Sequence, residues 1–86
     1  MSPVSKERFD TMRSAIMDVL GKSVSPMFVG RVDAILNDWL GDKISAAQAC
    51  EKVQKIVTLF IDEDKAREIG SRCAPIVMRE SVSKAH

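Results

Sequence analysis

Residues 45–60 read SAAQACEKVQKIVTLF, and within them Ala46, Ala49, Cys50, Val53, Ile56, Val57 and Phe60 recur at intervals of three and four. At about 3.6 residues per turn, that spacing draws a single apolar stripe down an α-helix. Ser45 and Gln48 stand where a capping box needs them, the serine oxygen reaching forward to a free amide and the glutamine reaching back. The pattern predicts a helix over 46–61. No stretch of the chain shows the period-two alternation of a strand, so the fold class is all-α.

Two further stripes lie upstream. Phe28, Val32, Ile35, Leu36 and Trp39 follow Ser25-Pro26, a start signal because serine caps orphan amides and proline fits the first helical turn. Gly41 ends this second helix, predicted over 26–40. Phe9, Met12, Ile16, Val19 and Leu20 make the first helix, 5–20, with Ser2-Pro3 or Ser5 as its start and Gly21 as its stop.

Downstream, Asp62-Glu63-Asp64 puts negative charge at a helix start, and Ala66, Ile69, Cys73, Ile76 and Val77 predict a fourth helix over 63–80. Pro75 falls inside it, where the ring removes an amide donor and crowds the preceding turn, so a kink or break is expected near Arg72 to Ala74. The polar tail, 81–86, carries no stripe and is expected to fray. Short connections favour antiparallel neighbours. The expectation is a single helical domain over 1–86, built as a small up-down-up-down four-helix bundle.

Composition narrows the function classes. Of the 86 residues 45% are hydrophobic and 29% charged, a globular balance. Thirteen Lys and Arg against twelve Asp and Glu leave a net charge of +1, with both signs scattered along the chain. A nucleic-acid binder would show a basic face that releases counterions. No apolar run approaches the ~20 residues of a membrane span, and Met1 to Asp10 do not read as a secretory signal. Cys50 and Cys73 read as two reduced thiols in a cytoplasmic core, with an interhelix disulfide as the alternative.

The residues carry no recognisable chemistry. The sole histidine, His86, sits in the tail, out of reach of any base-activated nucleophile. The carboxylates all fit solvated helix faces or caps, and Gly21, Gly30, Gly41 and Gly70 are isolated singles with no phosphate cradle. Two distant cysteines do not make a zinc site. The acidic run lacks the alternating ligands, glycine and closing glutamate of a calcium loop. The expectation is therefore no enzyme, with no catalytic, cofactor or metal residue.

Trp39-Leu40-Gly41, between two predicted helices, resembles the W-x-G turn of the small secreted helical hairpins of the early-secreted-antigen type. The resemblance covers three residues, while Gly21 and Ser25-Pro26 interrupt what would be that family's long first helix. Asp38 to Lys55 can also be read as a helix-turn-helix in which Lys52 and Lys55 face phosphates. Ala46, Ala47 and Ala49 then stand where base-reading side chains belong.

Four large apolar residues, Met17, Met27, Leu59 and Met78, fall off their own stripes. Met27, Gly30, Ala34 and Gly41 also align on the back of the second helix, with Asn37 among them. An exposed mid-helix glycine costs ~1 kcal/mol relative to alanine, and close approach of another helix would account for Gly30. Met17, Met27, Gly30, Ala34 and Leu59 are thus the candidate interface. The function expected is a non-enzymatic protein–protein interaction module, an adaptor, small inhibitor or regulatory subunit, self-associating as a homodimer through helix two. The alternative is a helix-turn-helix regulator binding nucleic acid.

Overall fold

A computed structural model describes residues 6–22 and 24–84. They form four helices, α1 (Lys6–Leu20), α2 (Pro26–Leu40), α3 (Ala46–Phe60) and α4 (Glu63–Lys84), packed as a helical bundle. Among the described residues there is no strand, and no helix is long and apolar enough to cross a membrane.

The helix ends follow from local chemistry. Ser25 holds an extended backbone and its Oγ accepts from the Phe28 amide at 3.2 Å, with Pro26 opening the first turn of α2. The capping box on α3 is closed both ways: Gln48 N–H donates to Ser45 Oγ at 3.1 Å, and Ser45 N–H donates to Gln48 Oε1 at 2.9 Å. Asp62 caps α4 by accepting the Lys65 amide at 2.9 Å. The start signal expected at Ser2-Pro3 or Ser5 lies outside the described residues, as do residues 85–86 of the tail.

Gly21 ends α1 in the left-handed region, at φ 74°, with its amide on the Met17 carbonyl. The stop of α2 is shared between two residues. Gly41 keeps a negative φ, and Asp42 takes the left-handed position at φ 62°. The Asp42 amide then returns to Trp39 and the Lys43 amide to Asp38, closing the carbonyls of the last turn in a Schellman motif.

Pro75 does not break the last helix, which runs for 22 residues to Lys84, beyond the expected end at 80. The proline withholds its amide from the Ser71 carbonyl, but both residues lie on the exposed side, where water can serve that oxygen. Ile69, Cys73 and Ile76 meanwhile tie both halves of α4 to one core.

That core joins Met12, Ile16, Val19 and Leu20 to Phe28, Val32, Leu36 and Trp39, and both sets to Ala46, Ala49, Cys50, Val53 and Val57. α4 completes it with Ala66 and the three residues just named. Each large side chain so buried contributes roughly 1.5–3 kcal/mol. Phe9, Ile35, Ile56 and Val77 pack at the margin, half-buried. Phe60, expected in the third stripe, is 63% exposed. It occupies the last turn of α3, and the chain then rotates Ile61 inward to pack on the core in its place.

Each helix packs on its neighbours in sequence, and α4 closes on α1, while the pairs α1–α3 and α2–α4 do not approach. The α3–α4 interface is the broadest and α1–α2 the thinnest. At the first, the Gln54 amide lies over Gly70, in the space a Cβ would fill, and donates to the Ala66 carbonyl at 3.1 Å. At the second, Arg13 Nε donates to Asp33 Oδ1 at 2.7 Å in a partly exposed ion pair. Such pairs contribute about 0.2–1 kcal/mol.

Candidate functional site

Among the described residues four large apolar side chains stay exposed: Met27, Leu59, Phe60 and Met78. Two of them border one groove of about 400 Å³. It opens where the end of α1 (Leu20), the start of α2 (Met27, Phe28, Arg31) and the end of α3 (Phe60) meet the start of α4 (Lys65). Val24, Ser25 and Ile61 complete the wall.

Its construction follows from the two turns that meet there, α1–α2 and α3–α4. Gly21 turns the chain out of α1 so that Val24 packs back on the core, and the Ser25 cap fixes the direction in which α2 departs. Phe28 points down into the core, and Phe60 stacks edge-on against it, ring centroids 6.3 Å apart at 74°. The Arg31 guanidinium lies 5.9 Å from the Phe60 ring centre, a cation–π contact. On the opposite wall Lys65 Nζ donates to the Val19 carbonyl at 3.4 Å. Arg31 and Lys65 are the charged residues of the lining, and neither has a carboxylate partner among the described residues.

The structure divides the five residues singled out by sequence. Met27, Gly30 and Ala34 share the outer face of α2 and are all exposed. A Cβ added at Gly30 would meet nothing within 4 Å, so no contact inside the bundle accounts for this glycine. Met17 is half-buried and packs against the core, closed off from that face. Leu59 is 76% exposed but borders a separate shallow groove between α3 and α4, beside Gln54, Lys55, Ala66 and Arg67. The edge expected from Met17 and Leu59 is therefore not assembled around α2. Phe60 takes that place, together with Arg31 and Lys65, which sequence reasoning passed over.

Among the described residues no buried side-chain oxygen or nitrogen lacks a partner, and no group of three or more His, Cys, Asp and Glu could hold a metal ion. Cys50 and Cys73 are free, buried thiols that meet across α3 and α4. The Cys73 thiol is pushed up: ionising it would place charge against the Cys50 sulfur, in a site that burial has already dried. It is thus kept protonated, the opposite of what a nucleophile needs. On α3, Lys55 is engaged with Glu51 at 3.6 Å, so the face a helix-turn-helix would offer to phosphates carries paired charge.

No family model, curated protein or solved structure gives a significant match to this chain. Trp39, on which the W-x-G resemblance turned, is fully buried in the core.

Proposed function

We propose that the chain is a non-enzymatic protein–protein interaction module that self-associates through the outer face of α2. One observation carries the reading: Met27, Gly30 and Ala34 form a flat, weakly polar strip that the bundle leaves open, with empty space above Gly30. A glycine at such a site sacrifices up to ~1 kcal/mol of helix stability relative to alanine. A second helix lying across the strip would recover that loss through close backbone approach and burial of the Met27 side chain, whose flexible thioether adapts to a partner. Small size favours the same outcome, because association covers apolar surface that a short chain cannot bury alone.

Light scattering on the wild type and on Gly30→Leu tests this. Gly30 is exposed and a Cβ there meets nothing within 4 Å, so a side chain at 30 projects away from the bundle and the substitution acts on the interface. The expected result is a dimeric wild type and a monomeric variant with unchanged helix content. A monomeric wild type, or a dimer that Gly30→Leu leaves intact, defeats the reading.

A further inference from the structure

The groove at the start of α2 adjoins the Gly30–Ala34 strip, sharing Met27 with it, and has a different chemistry. Its walls are apolar, and its two charged residues, Arg31 and Lys65, are both cations without a carboxylate partner among the described residues. No carboxylate is in the lining: Asp62 accepts the Lys65 amide, Glu63 pairs with Arg67 at 3.1 Å, and neither Asp18 nor Asp64 borders the groove. Two unneutralised cations beside an apolar trough attract a ligand that is apolar on one side and anionic at its edges.

The shape decides which kind. Pockets that hold small molecules enclose most of the ligand surface. Here Met27 is 76% and Phe60 63% exposed, standing up at the margins instead of closing over the trough. A small amphiphile in the groove would leave both in water. A helix lying across it would cover both at once, setting successive apolar anchors between them, which is how helix-in-groove recognition works.

From this we propose that the groove between the start of α2 and the end of α3 docks an acidic amphipathic helix of a partner protein. Apolar anchors one turn apart seat against Met27, Phe28 and Phe60, and flanking carboxylates pair with Arg31 and Lys65. This rests on the interaction-module reading but not on self-association, since Gly30 and Ala34 are not in the groove's lining.

A display library of helical peptides tests it, with leucines fixed at i and i+4 and flanking positions randomised, selected on the wild-type chain. The expected outcome is enrichment of Asp and Glu at the flanks. On Arg31→Glu the enrichment shifts toward Lys and Arg. A synthetic peptide of the enriched acidic sequence binds Arg31→Glu about tenfold more weakly than wild type and also weakens as salt is raised. Arg31 is exposed, so Arg31→Glu keeps the fold, which circular dichroism verifies. Arg31→Glu/Lys65→Glu gives the larger effect. Enrichment without acidic bias, or acidic peptides indifferent to Arg31→Glu, overturns the inference and leaves a docking groove of another chemistry. Peptides bound equally well by Phe60→Asp, which leaves the strip intact, overturn docking at this groove altogether. Neither result touches the dimer, which is scored by mass.

Discussion

Gly70 and Gly30 both sit inside helices, and their surroundings are opposite. Above Gly70 lies the amide of Gln54, so that a Cβ there would overlap a neighbouring helix. Above Gly30 there is open space. The first glycine is explained by the fold, because the Gln54 side chain occupies the space that a Cβ would need. The second is not, and it lies on the helix whose contacts with the bundle are thinnest. The molecule is thus a firmly packed α3–α4 pair, closed by α1, with α2 laid against it and turned outward.

If that division is right, equal losses of side chain should have unequal effects. Ile69 is fully buried on α4, and Ile69→Ala is expected to destabilise by about 2–5 kcal/mol. Met27→Ala, on the exposed face of α2, should shift monomer stability by less than about 0.5 kcal/mol. Denaturant midpoints of the two variants, read at low protein concentration so that association does not contribute, check the difference. Comparable losses would mean that α2 is as deeply built into the core as α4.

The second test acts on the dry side alone. The Cys73 thiol is raised in the folded chain, whereas in the unfolded chain it ionises at about pH 8.5. The proton is therefore retained on folding, and stability is fully present below the unfolded value and lost as pH rises above it. The slope is up to about 1.4 kcal/mol per pH unit for one proton. The shared hydrogen bond lowers Cys50 while it raises Cys73, so the pair keeps one proton on folding, and wild type should lose more stability between about pH 8 and about pH 10 than Cys50→Ala/Cys73→Ala does. Parallel pH profiles for the two proteins would place water at the thiol pair.

The firmly packed region was the legible one. Capping signals at Ser25-Pro26, Ser45-Gln48 and Asp62 act over three or four residues of chain, so sequence alone locates the starts of α2, α3 and α4. The apolar stripes likewise pick out Val53, Val57, Ile69 and Cys73 as core. Legibility fades where the outcome depends on what lies across the gap. Phe60 continues the α3 stripe in spacing, but the helix ends there and Ile61 turns in, which only the path of the following turn decides. Leu59 and Met17 share with Met27 only that they fall off their own stripes. Rotation about the helix axes sends Leu59 toward the α4 side and Met17 toward the core. Arg31 and Lys65 carried no periodic signal, because a groove wall is assembled from single residues of several elements.

The two glycines supply the smallest effect and the most direct comparison. Alanine is favoured over glycine in a helix by up to ~1 kcal/mol. Gly30→Ala should realise most of that gain, since its Cβ meets nothing. Gly70→Ala should not, because the new methyl displaces the Gln54 amide and strips the Ala66 carbonyl of its 3.1 Å donor. Removing the obstruction first should restore the gain: in a Gln54→Ala background, Gly70→Ala becomes stabilising by up to ~1 kcal/mol, a coupling that a double-mutant cycle reads directly. Thermal or denaturant unfolding of the four proteins in the cycle, beside Gly30→Ala, decides the matter. A Gly70→Ala gain that is the same with and without Gln54 would show that the amide yields freely, and Gly70 would then need another cause.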